Sequence, residues 1–594
     1  MIDGGWEFWI DRGGTFTDVV ARAPSGSLAT LKLLSMSPGR YDDAAVEGIA
    51  RLLAAHPAEG RRIAAVKIGT TVATNALLER RGEPTLLVIT AGHEDAIRIG
   101  GQQRPEIFAL DIKLPEMLYT RVVGAVERIG ADGAVLTPLD AAKLRVDLAA
   151  AHTAGLRSVA IVLLHGYRFP QHEAATAALA RELGFTQVSV SHEVLPLPKL
   201  VARGDTTLAD AYLSPVLDRY VTSVRRGLKA ELGSPKLVFM QSHGGLTASE
   251  RFRGKDSLLS GPAGGVVGMV QAAREAGFNE VIGFDMGGTS TDVALYAGEL
   301  ERTTEAVIAA VRVSAPMLRI ETVAAGGGSI LGFGSNRLKV GPESAGAWPG
   351  PMCYRHGGPL TITDANLVQG RIHPDFFPRV FGPNADEPLD VAAPTAAFEA
   401  LAQTIAKFTG ELPSVEQVAG GCLRIAVERM ANAIKQISVQ RGHDVTRFAL
   451  CCFGGAGGQH AAQVAEAIGI STVIVHPLAG VLSAYGIGVA DVRVLRQQSV
   501  EAPLDAALAA VLPSRFDALA AAALEALRSE GNDVACARLE RRLRVKVAGA
   551  DTALTVAWEA ASTPAALAAA FRDLHTRHFG FAAHQRRDPL PDLG

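Results

Sequence analysis

A short glycine-rich segment occurs twice in this chain of 594 residues, as FWIDRGGTFTDVV at residues 8–20 and as IGFDMGGTSTDVA at residues 282–294. In each copy an apolar run ends on an aspartate, Asp11 or Asp285. Two glycines and a threonine follow: Gly13, Gly14 and Thr15 in the first copy, and Gly287, Gly288 and Thr289 in the second. Consecutive glycine amides can form a concave anion site, to which a threonine hydroxyl adds a donor. Because a carboxylate at a strand end can hold Mg²⁺ beside phosphates, the segment is typical of phosphate and magnesium binding.

The spacing predicts that each copy is a β-hairpin whose glycines supply positive φ angles at the turn. A tight hairpin without a ligand explains one copy alone. A structural turn requires neither the aspartate nor the threonine, yet both residues are repeated. The two copies therefore favour a ligand-binding hairpin over a purely structural one. Two such hairpins that face each other across a cleft would hold a triphosphate from both sides. A Walker loop and a dinucleotide fingerprint do not fit, since their glycines must open a helix and these lead into a strand.

A third glycine run, FGGAGGQH at residues 453–460, lies between a predicted strand and a predicted helix. Its amides can approach a nucleotide closely, and the helix N-terminus offers further donors. The glycines expected to border the nucleoside are Gly455, Gly457 and Gly458. A structural strand-to-helix turn is the alternative. SGPAGG at residues 260–265, expected to open a helix at Gly264, and AGGGS at residues 325–329 can likewise serve a phosphate or the close packing of two lobes.

Threonines cluster at the start of another predicted helix, in GTTVATNA at residues 69–76. Thr70 or Thr71 can cap this helix, but a cap explains only one of them. Together with Asn75 they can also line a hydroxyl-rich pocket for a polar substrate or a phosphate, and both interpretations stay open. Three isolated histidines favour structural roles, and the sequence has no HExxH spacing. These histidines are His93, His165 and His243.

Short β-branched runs alternate with Ala- and Leu-rich segments along the chain, which predicts an α/β fold. The predicted strands are 7–11, 64–68, 85–89, 158–164, 237–240, 281–285, 448–453, 472–475 and 541–547. The predicted helices are 42–54, 138–151, 173–183, 206–228, 264–276, 415–439, 459–468 and 504–529. Residues 342–394 show no sustained period and are expected to form loops over a site. Because the glycine segment is repeated, we expect two lobes of common design.

The composition argues against several classes of partner. With 58 basic and 61 acidic residues the net charge is −3, which gives no field that attracts nucleic acid or anionic membranes. Five cysteines without CxxC spacing indicate buried thiols in a reducing compartment. The N-terminus has no signal-peptide pattern, and the most apolar stretches, such as 159–164 and 473–475, are too short to span a bilayer. We therefore expect a cytoplasmic protein.

Six motifs in fixed order resemble the hydantoinase A/oxoprolinase family. They are DRGGTFTD at 11–18, GTTVATNA at 69–76, SGPAGG at 260–265, DMGGTSTD at 285–292, GPESAGAWPGPMCY at 341–354 and FGGAGGQHA at 453–461. The segments IGGQQRPEIFAL at 99–110 and LVARGDTT at 200–207 look most like the N-terminal, hydantoinase A-like half of ATP-dependent 5-oxoprolinases, and we expect them to shape the substrate side. Arg12 stands where the family commonly has valine, which we do not interpret as a loss of function.

The resemblance implies a two-lobed ATPase fold of the actin/Hsp70/sugar-kinase type, with a partial C-terminal domain. The expected domains are residues 1–205, 206–490 and 491–594. ATP and Mg²⁺ are the implied cofactors, and phosphorylation of the 5-oxoproline lactam before ring opening to glutamate is the implied reaction. The hairpin amides with Thr15 and Thr289 would bind phosphate, while Asp11 and Asp285 would act in catalysis by holding Mg²⁺ or orienting the attacking group. The residues expected to contact the substrate are Thr70, Thr71, Asn75 and Arg104.

The long oxoprolinases continue into a hydantoinase B-like half, whereas this sequence ends at residue 594. We therefore expect either a separate hydantoinase B-like subunit or a truncated piece, and we expect an oligomer. A hydantoinase, another cyclic-amide hydrolase and the ATPase subunit of a carboxylase remain alternatives. An Hsp70-like switch would need a peptide-binding domain, and a sugar kinase would not explain the other motifs.

Overall fold

The computed structural model describes residues 4–14, 16–37, 40–101, 108–232, 235–382, 386–550 and 552–581. The chain forms two compact units. The first unit comprises Met1–Val439 and Asp444–Asp491, and the second comprises Gln440–His443 and Val492–Gly594. The expected division into three domains at residues 205 and 490 stays a prediction.

The first unit contains both copies of the repeated segment. Its strands are β1 (Trp6–Arg12), β2 (Phe16–Arg22), β3 (Leu28–Leu34), β4 (Ile63–Thr70), β5 (Thr85–Thr90), β6 (Tyr119–Ala125), β7 (Arg128–Ile129), β8 (Val135–Thr137), β9 (Ser158–Val162), β10 (Gln187–Val190), β11 (Lys236–Met240), β12 (Leu246–Ala248), β13 (Glu280–Met286), β14 (Thr291–Ala297), β15 (Arg302–Thr303), β16 (Ala306–Ile308), β17 (Val311–Val313), β18 (Met317–Leu318), β19 (Glu321–Val323), β20 (Ser329–Gly334), β21 (Arg337–Ser344), β22 (Ala449–Phe453) and β23 (Val473–Val475). Its helices are α1 (Ala44–Ala55), α2 (Val72–Leu78), α3 (Ala96–Ile99), α4 (Ala141–Thr153), α5 (Gln171–Glu182), α6 (Ser191–Val194), α7 (Leu200–Leu232), α8 (Ser260–Glu275), α9 (Ile362–Val368), α10 (Ala392–Thr409), α11 (Val415–Ile437), α12 (Ala461–Ile468) and α13 (Leu482–Val489).

Two sheets of this unit share one strand order. The first runs β12-β11-β4-β1-β2-β3, and the second runs β23-β22-β13-β14-β19. In both, the strand that ends near the motif aspartate pairs antiparallel with the strand after it, β2 or β14, and parallel with a later one, β4 or β22. The prediction of two similar lobes in an α/β fold is therefore confirmed.

The central strands form because their side chains are apolar on both faces. Trp6, Phe8 and Ile10 lie on one face of β1 and Trp9 lies on the other, and all four are buried. In β13, Ile282 and Phe284 are buried on one face and Val281 on the other. A strand buried on both faces has a continuous apolar run rather than an alternating one. Each such side chain contributes about 1.5–3 kcal/mol through burial, so the aspartate at the end of each strand is held on a rigid element.

Helices α8 and α13 cross between the two lobes at glycines. A Cβ built on Gly486 would lie 1.9 Å from the Gly264 carbonyl oxygen, and one on Gly268 would lie 2.5 Å from the Leu482 carbonyl oxygen. Helix α8 contacts both β4 and β13, so this crossing connects the lobes. It begins at Ser260, and the expectation that it opens at Gly264 is wrong. Gly264 and Gly265 of the SGPAGG segment therefore allow α8 to pack closely on α13, whereas a Cβ on Gly261 would lie 2.9 Å from Asp11 Oδ1.

A further sheet is inserted in the first lobe between α2 and α7. Its four strands are parallel, in the order β10-β9-β5-β6. One face packs on α4 and α5, and the other packs on α3 and α7. Helix α7 starts at Leu200, six residues before the predicted start, because the ARGD segment lacks apolar periodicity but is buried by tertiary contacts.

The expectation of loops throughout residues 342–394 is wrong. This region contains α9, which begins with a capping box between Thr361 and Asp364. Asp364 is fully buried and also accepts hydrogen bonds from the Met352 and Cys353 amides. A small core of its own accompanies the helix, formed by Cys353, Leu367, Ile372, Phe381 and Leu389. Capping and tertiary contacts, rather than a long apolar period, stabilise this short helix.

The second unit consists of α14 (Ala506–Ser529), β24 (Arg542–Lys546), β25 (Ala553–Ala557) and α15 (Pro564–Phe579). Its core contains Leu512, Val556 and Phe571, and the Phe516 and Trp558 rings stack at 4.4 Å. Helix α14 is long and apolar enough to cross a membrane by length and composition alone, and it is not among the short apolar stretches on which the expectation was based.

The cysteines follow the expectation of buried thiols in four of five cases. The buried cysteines are Cys353, Cys422, Cys451 and Cys452. Cys536, in a polar segment between α14 and β24, is exposed, and the expectation is wrong for it.

Candidate active site

The two motif aspartates lie in equivalent positions of the two lobes. Asp11 is opposite Asp18 in the β1–β2 register, and Asp285 is opposite Asp292 in the β13–β14 register. Burial raises the pKa of Asp11 to about 7, with a further increase from the Asp18 charge and an opposing effect of Lys32. Burial also raises the pKa of Asp285 well above its usual value, and the charges of Asp292, Asp11 and Asp18 raise it further. The carboxylates of the two copies are therefore close enough to interact electrostatically.

The neighbouring carboxylates have partners, whereas one oxygen of Asp11 has none. Asp18 forms an ion pair with Lys32, and Asp292 accepts a hydrogen bond of 2.6 Å from the Thr322 hydroxyl. Oδ1 of Asp11 is buried and has no hydrogen-bond partner among the residues that the structure describes. A buried carboxylate oxygen without a partner is costly, so this position suits a bound cation or a proton.

The first turn is closed by a hydrogen bond of 3.0 Å from the Gly13 amide to the Phe16 carbonyl oxygen. A Cβ built on Gly13 would lie 2.8 Å from that oxygen, so the position has no room for a side chain. Gly13 and Gly14 do not adopt positive φ, nor do Gly287 and Gly288. The prediction of positive φ is therefore wrong at all four glycines, and lack of space explains the glycine at position 13. Thr15 lies outside the described residues.

The AGGGS segment packs directly on the second turn. The amide of Gly328 donates to the Gly288 carbonyl oxygen at 2.7 Å, and that of Gly327 donates to the Gly287 carbonyl oxygen at 3.1 Å. A Cβ on Gly326 would lie 2.6 Å from the backbone of Thr289. These glycines serve close packing, and Gly288 and Thr289 themselves are exposed.

The third glycine run contains both open and packed positions. A Cβ on Gly455, on Gly458 or on Gly288 of the second turn would meet no atom of the described chain within 4 Å. A Cβ on Gly457 would lie 2.9 Å from Cys452 Sγ, and one on Gly454 would lie 2.3 Å from Asp285 Oδ1. The open glycines can thus approach a ligand, whereas Gly457 faces the interior.

The threonine cluster lies against the first turn. The Thr71 hydroxyl donates to the Arg12 carbonyl oxygen at 3.2 Å, and the Thr70 hydroxyl accepts from the Val72 amide at 3.2 Å. The Asn75 amide nitrogen lies 3.4 Å from a Cβ built on Gly14. The structure therefore brings Thr70, Thr71 and Asn75 to the turn, with both hydroxyls in local hydrogen bonds. Arg104 lies outside the described residues.

Several residues that support the site were not singled out from the sequence. Ser260 donates to the Thr70 carbonyl oxygen at 2.8 Å and so joins α8 to the threonine cluster. The second threonine of each motif is also structural: Thr17 bonds the Ser35 hydroxyl at 3.0 Å, and Thr291 donates to the Ala325 carbonyl oxygen at 2.5 Å. Thr17 and Thr291 occupy the same position in the two copies of the repeat, and this signal in the sequence could have identified them.

The Arg12 side chain contacts Tyr220 and Asp43, which lie outside the first turn. Its guanidinium lies 5.0 Å from the centre of the Tyr220 ring and 3.9 Å from a carboxylate oxygen of Asp43. The side chain is only partly exposed, and the stacking contact gives this residue a structural role beside the motif.

Two family models match the chain and together cover most of it. The model described as hydantoinase/oxoprolinase N-terminal region matches residues 7–184, and the one described as hydantoinase/oxoprolinase matches residues 203–496. The chain belongs to the hydantoinase/oxoprolinase family. The resemblance seen in the motifs is thereby confirmed.

Relatives within the family include 5-oxoprolinase 1 of Arabidopsis thaliana, which is 42% identical over 100% of this chain and 50% of its own length. Caprolactamase subunit alpha of Pseudomonas jessenii is 35% identical over 82% of this chain and 70% of its own. The chain spans about half the length of the 5-oxoprolinases that it matches.

Solved structures support the fold. The crystal structure of ATP-dependent caprolactamase from Pseudomonas jessenii superposes with a TM-score of 0.84 at 30% identity, and covers 97% of this chain and 85% of that one. The nucleotide-free structure of acetone carboxylase superposes with a TM-score of 0.73 at 24% identity, covering 96% and 84%. The two-lobed α/β ATPase fold implied by the motifs is therefore confirmed.

Proposed function

We propose that this chain is the ATP-using part of a cyclic-amide hydrolase that opens 5-oxoproline to glutamate, together with a hydantoinase B-like subunit or half. The observation that carries the proposal is the pair of half-buried carboxylates, Asp11 and Asp285, which interact electrostatically, with glycines nearby in the chain whose Cβ positions are open. Membership of the family supports it, since relatives carry the names 5-oxoprolinase and caprolactamase.

The chemical task is to activate a lactam, whose carbonyl is stabilised by amide resonance. Transfer of the γ-phosphoryl group of ATP to the lactam oxygen, with ADP leaving, converts that oxygen into part of a leaving group. Water then adds to the ring carbon, the ring C–N bond breaks, and phosphate departs as glutamate forms. Phosphoryl transfer of this kind needs positioning and charge stabilisation more than covalent help from the protein.

The amides of Gly288, Gly455 and Gly458 would bind the nucleotide, because a ligand can approach the backbone where a Cβ would meet no atom. Asp11 and Asp285 would hold Mg²⁺ or orient the attacking lactam oxygen, and the unpartnered, buried Oδ1 of Asp11 fits such a cation. No group of three or more His, Cys, Asp or Glu side chains suited to a metal is found in the described part of the chain. Mg²⁺ commonly binds through one or two carboxylates and completes its shell with water and phosphate oxygens. When bound, Mg²⁺ supplies charge neutralisation on the phosphates.

A larger lactam is the second candidate substrate. The similarity to caprolactamase subunit alpha extends over 70% of that protein, and its name also supports a partner subunit here. Acetone carboxylase, at 24% identity, shows the fold alone. We further propose a cytoplasmic location and an oligomer.

The test compares ADP release with and without 5-oxoproline for the wild-type chain and for Asp285→Asn. We expect 5-oxoproline to stimulate ADP release by the wild type, and the substitution to lower the stimulated rate by about 100-fold or more, as for loss of a charge-stabilising group. The matched control is Asp140→Asn, which changes an N-terminal cap residue of α4 and keeps its capping ability. Equal stimulated rates for Asp285→Asn and the wild type would exclude the assigned role.

A further inference from the structure

A half-buried arginine, Arg312, lies beside the inserted sheet of the first lobe and outside every motif. Arg312 is the middle residue of β17, whose Val311 and Val313 side chains are buried in the first-lobe core. Because side chains alternate along a strand, the Arg312 side chain points away from that core. Its guanidinium lies against the turn after α3, since a Cβ built on Gly101 would be 3.4 Å from Nη2.

Asp205 lies on α7, which contacts β17, and it is close enough to Arg312 to interact with its charge. Burial raises the pKa of this carboxyl to about 7, and the Arg312 charge opposes that increase. Within the described ranges, the side chains of Arg312 and Asp205 form neither a hydrogen bond nor an ion pair, with each other or with a third residue. A guanidinium and a carboxyl that approach without pairing leave their hydrogen-bonding capacity for a ligand.

Three contacts hold the pair in place. The Ser314 amide donates to the Thr206 hydroxyl at 2.8 Å in the interior, which ties the end of β17 to α7. A Cβ on Gly204 would lie 2.2 Å from Ile97 Cδ1, so this glycine allows α3 to approach α7 closely. Arg80 at the end of α2 donates to the Ala309 carbonyl oxygen at 3.1 Å, which anchors the hairpin turn before β17.

The hairpin turn itself is strained. Ala309 and Ala310 have φ angles of 50° and 62°, in a region that residues other than glycine, asparagine and aspartate rarely adopt. Strain of this kind is often retained where it positions a functional side chain, and here the turn presents Arg312.

The pair lies at the carboxyl edge of the inserted parallel sheet. Arg203, two residues before Asp205, donates to the carbonyl oxygens of Leu163 and Leu164, which directly follow β9. Ligands of α/β sheets bind in the crevice at the carboxyl ends of the strands. Helix α2 runs from the first phosphate turn to this hairpin, and its seven residues rise about 10 Å.

We propose that Arg312 binds the carboxylate of a cyclic-amide substrate and that Asp205 accepts the hydrogen bond of its lactam N–H. This inference rests on the proposed function and narrows the substrate class to lactams with a carboxylate on the carbon next to the ring nitrogen. In such a ligand the carboxylate and the N–H are adjacent, so one molecule can contact a guanidinium and a carboxyl that lie near each other, as those of Arg312 and Asp205 do. A guanidinium binds a carboxylate in a two-pronged manner. A lactam without the carboxylate would leave Arg312 without a partner.

The test uses the full chain and two lactams with the same ring, 5-oxoproline and 2-pyrrolidinone, which lacks the carboxylate. Binding is measured by isothermal titration calorimetry, and KM and kcat are measured from lactam-dependent ADP release. Arg312→Met is expected to weaken 5-oxoproline binding about 100-fold, as for removal of one partner of a desolvated charge pair, and to leave 2-pyrrolidinone unchanged. Arg312→Lys should restore part of the affinity. Asp205→Leu should weaken both lactams.

The matched control is Arg157→Met. Arg157 is also half-buried and donates to two main-chain carbonyls at the opposite edge of the same sheet, before β9. The Arg157→Met substitution should lower the stability of the protein without changing its affinity for either lactam.

Equal effects of Arg312→Met on both lactams, or none on 5-oxoproline, would overturn the inference. A wild type that uses other lactams but does not bind 5-oxoproline would overturn it and leave ATP-dependent lactam chemistry intact. A wild type that binds 5-oxoproline through Arg312 but shows no lactam-dependent ADP release would contradict the proposed function. It would still support the assignment of Arg312 to carboxylate binding.

Discussion

Replacing Asp11 by asparagine should stabilise the nucleotide-free protein at neutral pH while impairing its function. Burial raises the pKa of Asp11 from 3.8 to about 7, so the folded state binds this proton more tightly than the unfolded state does. The stabilisation that results is complete below pH 3.8 and is lost as the pH rises to about 7. The pKa difference of about three corresponds to a change of at most about 4 kcal/mol in the free energy of unfolding, at about 1.4 kcal/mol for each tenfold change in proton affinity. Asparagine carries no charge at any of these pH values and avoids this loss.

The assay is urea unfolding of wild type, Asp11→Asn and the control Asp140→Asn between pH 5 and pH 8, without nucleotide. The free energy of unfolding of Asp11→Asn minus that of the wild type should increase with pH by about 2–3 kcal/mol over this range, and Asp140→Asn should follow the wild type. Stabilisation by saturating Mg²⁺ and ATP should be smaller in Asp11→Asn. A difference in unfolding free energy that does not change with pH would refute the reasoning.

Two glycines offer further predictions with opposite outcomes. Gly486→Val places a Cβ 1.9 Å from the Gly264 carbonyl oxygen and should destabilise the protein by about 3 kcal/mol or more. The measurement is calorimetry, and the control is Gly480→Ala, where the added Cβ meets open space. A melting temperature equal to that of the control would show that α8 and α13 separate at little cost. Gly288→Ala also adds a Cβ in open space; it should keep the wild-type melting temperature but weaken ATP binding about tenfold, by blocking the approach of phosphate to the amide. Unchanged ATP affinity would remove Gly288 from the phosphate site.

Much of the architecture could be predicted from local pattern. Strands such as β1 and β13 are continuous apolar runs, and the repeat that follows each of them indicated two lobes before any contact was known. The starts of α7 and α8 and the whole of α9 were missed. Their signals are a buried ARGD segment, glycines inside a helix and a single capping box, none of which produces an apolar period.

The candidate site divides in the same way. The residue types of Asp11, Asp285 and the turn glycines pointed to phosphate chemistry, but the positive φ expected at the turns is not observed. Gly455 and Gly457 look alike in sequence. One faces open space and the other packs on Cys452, a difference that depends on which elements surround the loop.

The sequence by itself determined the α/β class, the two lobes and the residue types of the phosphate turns, because each of these depends on neighbours along the chain. The tertiary structure decided which carboxylates interact electrostatically, which glycines have open space at the Cβ position, and that Asp205 lies near Arg312. Burial and charge proximity between Asp11 and Asp285, or between α7 and β17, arise only when distant segments pack. The pKa shifts of these carboxyl groups and the position of a bound substrate therefore depend on the tertiary structure and not on local sequence.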